Sequence, residues 1–208
     1  STQHALSVTG GNKIIKFSVS GRYFTQDGIY RYGKENYEQF NTRAKIDVRI
    51  FKWLSLDDNI SFMRRNTFQP RVAEGNQLIQ RQIEIVGAPM IGPKNPDGTW
   101  TEAATYIGVA GFDEGTSWEK YHKIDVSNTV GLNAFIVKDI LKARGEFTYY
   151  YNHTTRLRAR NIITHYNGPE ITGSRPSTSQ YHDYQYETAR WNASATLTYG
   201  QTFAENHR

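Results

Sequence analysis

Leu141-Lys142-Ala143-Arg144-Gly145-Glu146-Phe147-Thr148-Tyr149-Tyr150-Tyr151-Asn152 alternates with a period of two. The odd positions carry Leu141, Ala143, Phe147, Tyr149 and Tyr151. The even ones carry Lys142, Arg144, Glu146, Thr148 and Asn152. A β-strand sends successive side chains to opposite faces, so this stretch has one apolar and one charged face. Strands of soluble sandwiches are shorter, typically about five or six residues. Long alternating strands, joined by short turns at one end and long loops at the other, are the pattern of an outer-membrane barrel.

The same alternation recurs along the chain. His4 to Thr9 ends at the turn signal Gly10-Gly11-Asn12. Ile15, Phe17, Val19 and Tyr23 share one face, with Lys16, Ser18, Ser20 and Arg22 on the other. Phe40, Thr42, Ala44, Ile46, Val48 and Ile50 oppose Asn41, Arg43, Lys45, Asp47 and Arg49. After Lys52-Trp53, Leu54, Leu56, Ile60 and Phe62 continue the pattern, which weakens at Asp58. Ile124, Val126, Val130, Leu132, Ala134 and Ile136 restore it. The last full strand sets Trp191, Ala193, Ala195, Leu197 and Tyr199 against Arg190, Asn192, Ser194, Thr196 and Thr198. An unfinished strand follows Gly200-Gln201. Short turns are expected near Gly11, Lys52, Asp139 and Gly200, with long loops over 66–121 and 161–183. Within the first loop, Ile79, Ile83 and Val86 share one face of a short helix spanning Gln77 to Val86. Ala88, Pro89 and Pro93 break it.

Composition fits this pattern. The chain has 208 residues, 38% hydrophobic and 22% charged, and no stretch approaches the ~20 apolar residues of a spanning helix. A membrane barrel survives that test, because its lumen-facing half is polar. Trp191 and Tyr199 lie eight positions apart on one face, roughly 20 Å along the membrane normal at ordinary strand rise and tilt. That matches aromatic girdles flanking an apolar band of about 25 Å. Cysteine is absent, which leaves the redox compartment open. The formal charge is +5, but Arg and Lys are spread over strand faces, so no nucleic-acid partner is expected.

Several phrases, taken in order, resemble the SusC-like (SusC/RagA) TonB-dependent outer-membrane transporters of Bacteroidota. They are Gln3-His4-Ala5-Leu6-Ser7-Val8-Thr9-Gly10-Gly11, then Phe17-Ser18-Val19-Ser20-Gly21-Arg22-Tyr23-Phe24-Thr25-Gln26-Asp27-Gly28-Ile29. Phe40-Asn41-Thr42-Arg43-Ala44-Lys45-Ile46-Asp47-Val48, Trp53-Leu54-Ser55-Leu56 and Asn95-Pro96-Asp97-Gly98-Thr99 complete the set. Beyond Thr99 the match is one of pattern more than wording. The resemblance implies a barrel of twenty-two strands, of which this chain supplies about seven, with an N-terminal plug. It implies import of glycan or peptide fragments, energy from TonB, and a SusD-like lipoprotein as lid. Plug and TonB-contacting segment are expected outside these residues.

No Walker A loop, G-x-S-x-G elbow or H-E-x-x-H motif occurs, so transport without bond-making is expected, with no cofactor and no metal site. The six His residues are scattered singly, and Asp57-Asp58 point to opposite faces, which rules out an acid/base dyad. Asn59, Asn152 and Asn192 open glycosylation-like tripeptides but sit in strands. Lys16, Arg22, Arg43, Lys45, Asp47, Arg49, Lys142, Arg144, Glu146 and Arg190 are the lumen-facing charges. They pair with a plug and each other, or they line a substrate path. Candidate substrate contacts are the loop aromatics Trp100, Tyr106, Phe112, Trp118 and Tyr121, with Tyr166, Tyr181 and Tyr184 in the second loop. Packing of the loops on themselves or on a lid is the competing account. The apolar run from Ile85 to Pro93 is expected to be buried against protein. Alternative architectures are a passive porin or adhesin barrel, and a soluble β-rich carbohydrate-binding module. A seven-strand piece leaves two unpaired edges, so residues 1–208 expressed alone should aggregate without detergent. Monomeric, soluble material on size exclusion in plain buffer would contradict this.

Overall fold

The computed structural model describes residues 1–30, 34–71, 79–87, 90–137 and 140–200. The expected turn residues Lys138 and Asp139, the strand after Gly200, and Gln77, Ala88 and Pro89 lie outside them. Seven strands form one antiparallel sheet: β1 (Thr2–Gly11), β2 (Ile15–Asp27), β3 (Asn36–Arg49), β4 (Leu54–Pro70), β5 (Trp118–Val137), β6 (Leu141–Arg160) and β9 (Gln180–Tyr199). Helices α1 (Ile79–Val86), α2 (Glu102–Ile107) and α3 (Val109–Glu114) lie between β4 and β5. A separate hairpin, β7 (Ile163–Asn167) with β8 (Glu170–Arg175), fills the β6–β9 connection. Strands adjacent in the sheet follow one another in sequence, the hairpin aside, so the sheet is an up-and-down meander.

Connections alternate in length. At one end, Asn12 Oδ1 accepts from the amides of Ile14 and Ile15 at 2.7 and 2.9 Å and closes the β1–β2 turn. Phe51 and Trp53 stack with centroids 5.8 Å apart in the β3–β4 turn. The Gly200 amide reaches the Ile140 carbonyl at 2.9 Å at this same end. The other end carries residues 28–35, 71–117 and 161–179.

The sheet register converts alternation into two faces. One runs Val8, Val19, Ala44, Ile60, Asn128, Tyr149 and Trp191 across all seven strands in a single row. The next row on the opposite face runs Ser7, Ser20, Arg43, Ser61, Ser127, Tyr150 and Arg190. No second layer covers the apolar face among the described residues: Leu6 is 74% exposed, Trp191 72% and Leu197 66%. Such a contiguous apolar surface has no place in water, and a sandwich would have buried it. The sheet is a segment of a large transmembrane β-barrel. Asp58 is the polar interruption seen in the sequence; it sits on the apolar face and accepts from Asn128 Nδ2 at 2.7 Å.

Burial is concentrated instead at the long-loop end. Trp100, Ala104, Ala110 and Ile163 form one cluster, and Ile79 packs with Phe112 in a second. In α1, Ile79 is buried but Ile83 is 48% exposed, so the expected shared face is only partly used. The expectation that residues 85–93 are covered fails within this chain: Ile85, Met90 and Ile91 are exposed, Met90 at 94%.

The long strands also shorten the expected loops. β4 continues to Pro70 and β5 already begins at Trp118, so the connection covers 71–117 and not 66–121. β9 likewise begins at Gln180, inside the expected 161–183 loop. β5, β6 and β9 each have 20 residues, roughly 50 Å at ordinary rise and tilt, about twice the apolar band. Their upper halves stand in water, where both faces are polar and the period-two signal fades while the hydrogen-bond ladder continues.

Phe17 sits near the middle of the apolar band, flanked by Gly10 and Ile46. Phe17→Arg should cost about 2–4 kcal/mol in the full protein unfolded from lipid vesicles, the penalty for a cation at the midplane. Lys45→Gln, on the opposite face and half exposed, should stay within about 1 kcal/mol. Equal costs in urea titrations would contradict the assignment of faces.

Candidate functional site

The polar face and the docked loops above it form the candidate site. All the charged residues singled out from the sequence lie on that one face: Lys16 and Arg22 from β2, Arg43, Lys45, Asp47 and Arg49 from β3, Lys142, Arg144 and Glu146 from β6, and Arg190 from β9. Near the short turns they partly pair with one another. Arg144 donates to Asp57 at 2.8 and 3.0 Å and to Glu146 at 2.7 Å. Asn133 Nδ2 adds a bond to Asp57 at 2.7 Å. Gly131 makes this cluster possible, because a Cβ there would stand 2.6 Å from Asp57 Oδ2. Lys45 meets Asp47 at 3.5 Å, and Arg43 Nε donates to Asn59 at 2.8 Å. Lys142 lies 5.3 Å from the Phe135 centroid.

Higher up is a cluster that the sequence analysis did not single out. Glu119 Oε2 accepts from Arg71 at 2.6 Å, Arg158 at 2.8 Å and Arg156 at 3.0 Å. The register explains it: Glu119 is directly opposite Arg158, and Tyr121 opposite Arg156. The alternate arginines Arg156, Arg158 and Arg160 were its signal in the sequence. Glu119 lies far above the apolar band, near the top of β5. Burial alone would raise its pKa, but hydrogen bonds from Arg156, Tyr121 and Arg158 and the charge of Arg71 outweigh it and hold the carboxyl at about 2.

The aromatic candidates separate into four settings. Trp100 and Phe112 are buried: Trp100 packs with Ala104, Ala110 and Ile163 while its indole N–H donates to Glu114, and Phe112 packs edge-on against Tyr30. They form the loop core and offer little surface to a ligand, which corrects their assignment as contacts. Trp118 and Tyr181 pack together with Phe68, centroids 6.3 Å apart, with the Lys120 ammonium 4.5 Å from Trp118. By register this cluster continues the apolar face, away from the polar one. Tyr121 and Tyr184 flank the Arg156 guanidinium on the polar face at 5.3 and 5.7 Å. Tyr106 and Tyr166 line an outer cleft of about 560 Å³ with Asn95, Glu102, Thr172 and Arg175.

The two long loops are fixed to each other by backbone as well as by core. The Tyr166 amide donates to the Trp100 carbonyl at 2.8 Å, and Asn95 Nδ2 reaches the Tyr166 carbonyl at 3.0 Å. Gly108, with φ 91°, ends α2 and turns directly into α3. A side chain would strain that left-handed position.

Glu119→Gln removes the one carboxylate that holds Arg71, Arg156 and Arg158 together. It should cost on the order of 3 kcal/mol locally. Because the folded pKa lies below the ordinary 4.5, this contribution is complete above pH 4.5 and is lost as pH falls towards 2. Hydrogen exchange of residues 116–120 and 156–160 should rise in the variant at neutral pH and in the unmodified protein only on acidification. Unchanged protection would remove the structural role assigned to Glu119.

No family model matches the chain. TonB-dependent receptor P3 of Formosa agariphila is 32% identical over 103 residues, 46% of this chain and 10% of that protein. Solved structures of the RagAB peptide importer superpose with TM-scores of 0.70 and 0.69 at 15% and 18% identity. Each covers 98% of this chain and 22% of the longer one. The chain therefore spans about a tenth of the curated relative and about a fifth of the structural neighbours. The structural likeness carries the fold, a segment of a large transmembrane β-barrel like that of the RagAB importer. The similarity to a TonB-dependent receptor, over less than half of the chain, supports the resemblance to SusC-like transporters.

Proposed function

We propose that the whole protein is an outer-membrane active importer of glycan or peptide fragments, energised through TonB and closed from outside by a SusD-like lipoprotein. This chain supplies strands of its barrel wall and two of its long extracellular loops. The observation that carries the proposal is the sheet itself: a bare apolar face to meet lipid, a charged face behind it, and long loops confined to one rim. The similarity to a TonB-dependent receptor and to a peptide importer supports the direction of the reading. The remaining barrel strands, to about twenty-two, and the plug belong to the unseen part of the protein.

The loops offer a surface for the lid. Ile83, Ile85, Met90 and Ile91 are exposed on one connection, whereas Trp100 and Phe112 of the same connection are buried. A patch of this kind is costly in water and suits a protein partner. Tyr106 and Tyr166, with Asn95 and Glu102 beside them, give the loops an aromatic and polar cleft suited to cargo.

Two measurements test the proposal. In cells, uptake of a labelled oligosaccharide or peptide mixture should require both this gene and TonB, and the purified protein should give no steady conductance in planar bilayers. A constant open pore with TonB-independent uptake would replace it by a passive porin. Met90→Glu with Ile91→Glu should release a co-purifying lipoprotein while leaving the barrel heat-modifiable on gels; retention of the lipoprotein would move the lid surface elsewhere.

A further inference from the structure

Charge divides the polar face into two halves. Toward the short turns, Asp47, Asp57 and Glu146 are each within ion-pair reach of Lys45 or Arg144. Toward the loops, the carboxylates on this face among the described residues are Asp125 and Glu119. Both are occupied. Asp125 takes Lys123 at 3.1 Å, the Tyr150 hydroxyl at 2.7 Å and Asn152 at 2.5 Å. Glu119 already serves Arg71, Arg156 and Arg158. Arg22, Arg43, Arg65 and Arg190 share this half by register, and none has a carboxylate at ion-pair distance among the described residues. The loop-end half carries a large positive excess.

Two of these guanidiniums are held in place by rings. Arg65 lies 5.6 Å from the Tyr37 centroid, and Arg156 sits between Tyr121 and Tyr184. A stacked guanidinium loses rotamer freedom in advance and keeps its N–H edge for a planar oxyanion. The Nε of both Arg65 and Arg156 is buried without a hydrogen-bond acceptor among the described residues, which leaves the terminal nitrogens of each guanidinium to meet an anion. β4 and β6 are separated by β5, and Arg156 stands two residues nearer the loops than the row of Arg65, which places the two clamps about 12 Å apart.

The surroundings define what such a pair would hold. Gln39, Asn41, Thr67, Thr154 and Thr188 occupy the same rows and offer amides and hydroxyls. Met63 and Phe24 are the larger apolar side chains there, too few to make pockets for the side chains of a peptide. Consecutive same-side groups of an extended peptide are about 7 Å apart, shorter than the spacing of the clamps. A chain of sugars with one acidic group per disaccharide presents both the wider charge repeat and the hydroxyls. We infer that the loop-end half of the polar face binds an acidic oligosaccharide, its carboxylate or sulfate groups on Arg65 and Arg156 and its hydroxyls on the threonine, amide and tyrosine groups around them. The inference rests on the import reading above and narrows its cargo.

The test uses the complete transporter in detergent, titrated calorimetrically with four defined probes: a hyaluronan oligosaccharide with one carboxylate per disaccharide, a galactan oligosaccharide with one sulfate per disaccharide, neutral maltoheptaose and oligoglutamate. Either acidic glycan should bind, more weakly as salt rises, and which of the two binds separates carboxylate from sulfate recognition. Arg65→Gln, which touches no ion pair, should weaken that binding about tenfold or more while heat-modifiability on gels is kept. Arg156→Gln should do the same, with Arg156→Lys recovering only part, since an ammonium lacks the fork. Tighter binding of oligoglutamate, equal binding of maltoheptaose, absence of binding by both acidic glycans, or an inert Arg65→Gln would each overturn the inference. Uptake in cells separates the two claims. TonB-dependent import of neutral sugars without acidic-glycan binding sinks the cargo and leaves the importer. Acidic-glycan binding without uptake does the reverse.

Discussion

The whole arrangement depends on one requirement: a backbone crossing hydrocarbon must satisfy its own amides and carbonyls. In this chain the five inner strands do so through one antiparallel ladder, and β1 and β9 bond along one side each. Once that ladder is fixed, the two faces are fixed with it, because a slip of one residue would exchange every lipid-facing side chain for a polar one. The single irregularity in the main sheet, between Phe135 and Val137, falls at the short-turn end, where it disturbs nothing above it. The rows of the polar face, and with them every cluster described on it, inherit their order from backbone pairing.

Continuity of the ladder beyond the membrane gives the second level of organisation. Strands that outrun the apolar band carry a rigid surface into water, and the Glu119 cluster is built there on β5 and β6, with Arg71 added from the start of the loop. Above it the loops have a core of their own around Trp100 and Phe112. The bonds from Tyr166 to Trp100 and from Asn95 to Tyr166 tie the two loops into one unit. Their position relative to each other is therefore set by packing and hydrogen bonds.

Much of this was legible because hydrocarbon imposes a strict code. Where lipid covers one face, as along Phe40 to Ile50 or Trp191 to Tyr199, apolar and polar residues alternate without exception worth noting, and strand and face follow together. Where water covers both faces, the code lapses: Arg64, Arg65 and Asn66 form ladder bonds as regular as those below, yet nothing in their composition separates them from a loop. The loop aromatics failed for a different reason. Trp100 and Tyr106 are alike as residues, and only the packing of α2 against β7 and β8 decides that the first is buried and the second half exposed. Glu119 was illegible singly, since its partners come from two other segments, although the alternation of Arg156, Arg158 and Arg160 already placed three guanidiniums on one face.

The distribution of charge follows from the same geometry. On a strand, like charges two residues apart share a face and repel, so Lys45–Asp47 and Arg144–Glu146 alternate in sign where the strands are closely held. The arginine run at 156–160 breaks that rule and is tolerated because Glu119 stands opposite its middle, and because Tyr121 and Tyr184 take up the faces of Arg156. Elsewhere in this half of the polar face, Arg22, Arg43, Arg65 and Arg190 have no carboxylate at ion-pair distance among the described residues. Such guanidiniums store a positive field at the mouth of the barrel wall, where a low-dielectric rim concentrates it toward approaching anions. That cost in local repulsion is intelligible if the field acts on something that arrives from outside.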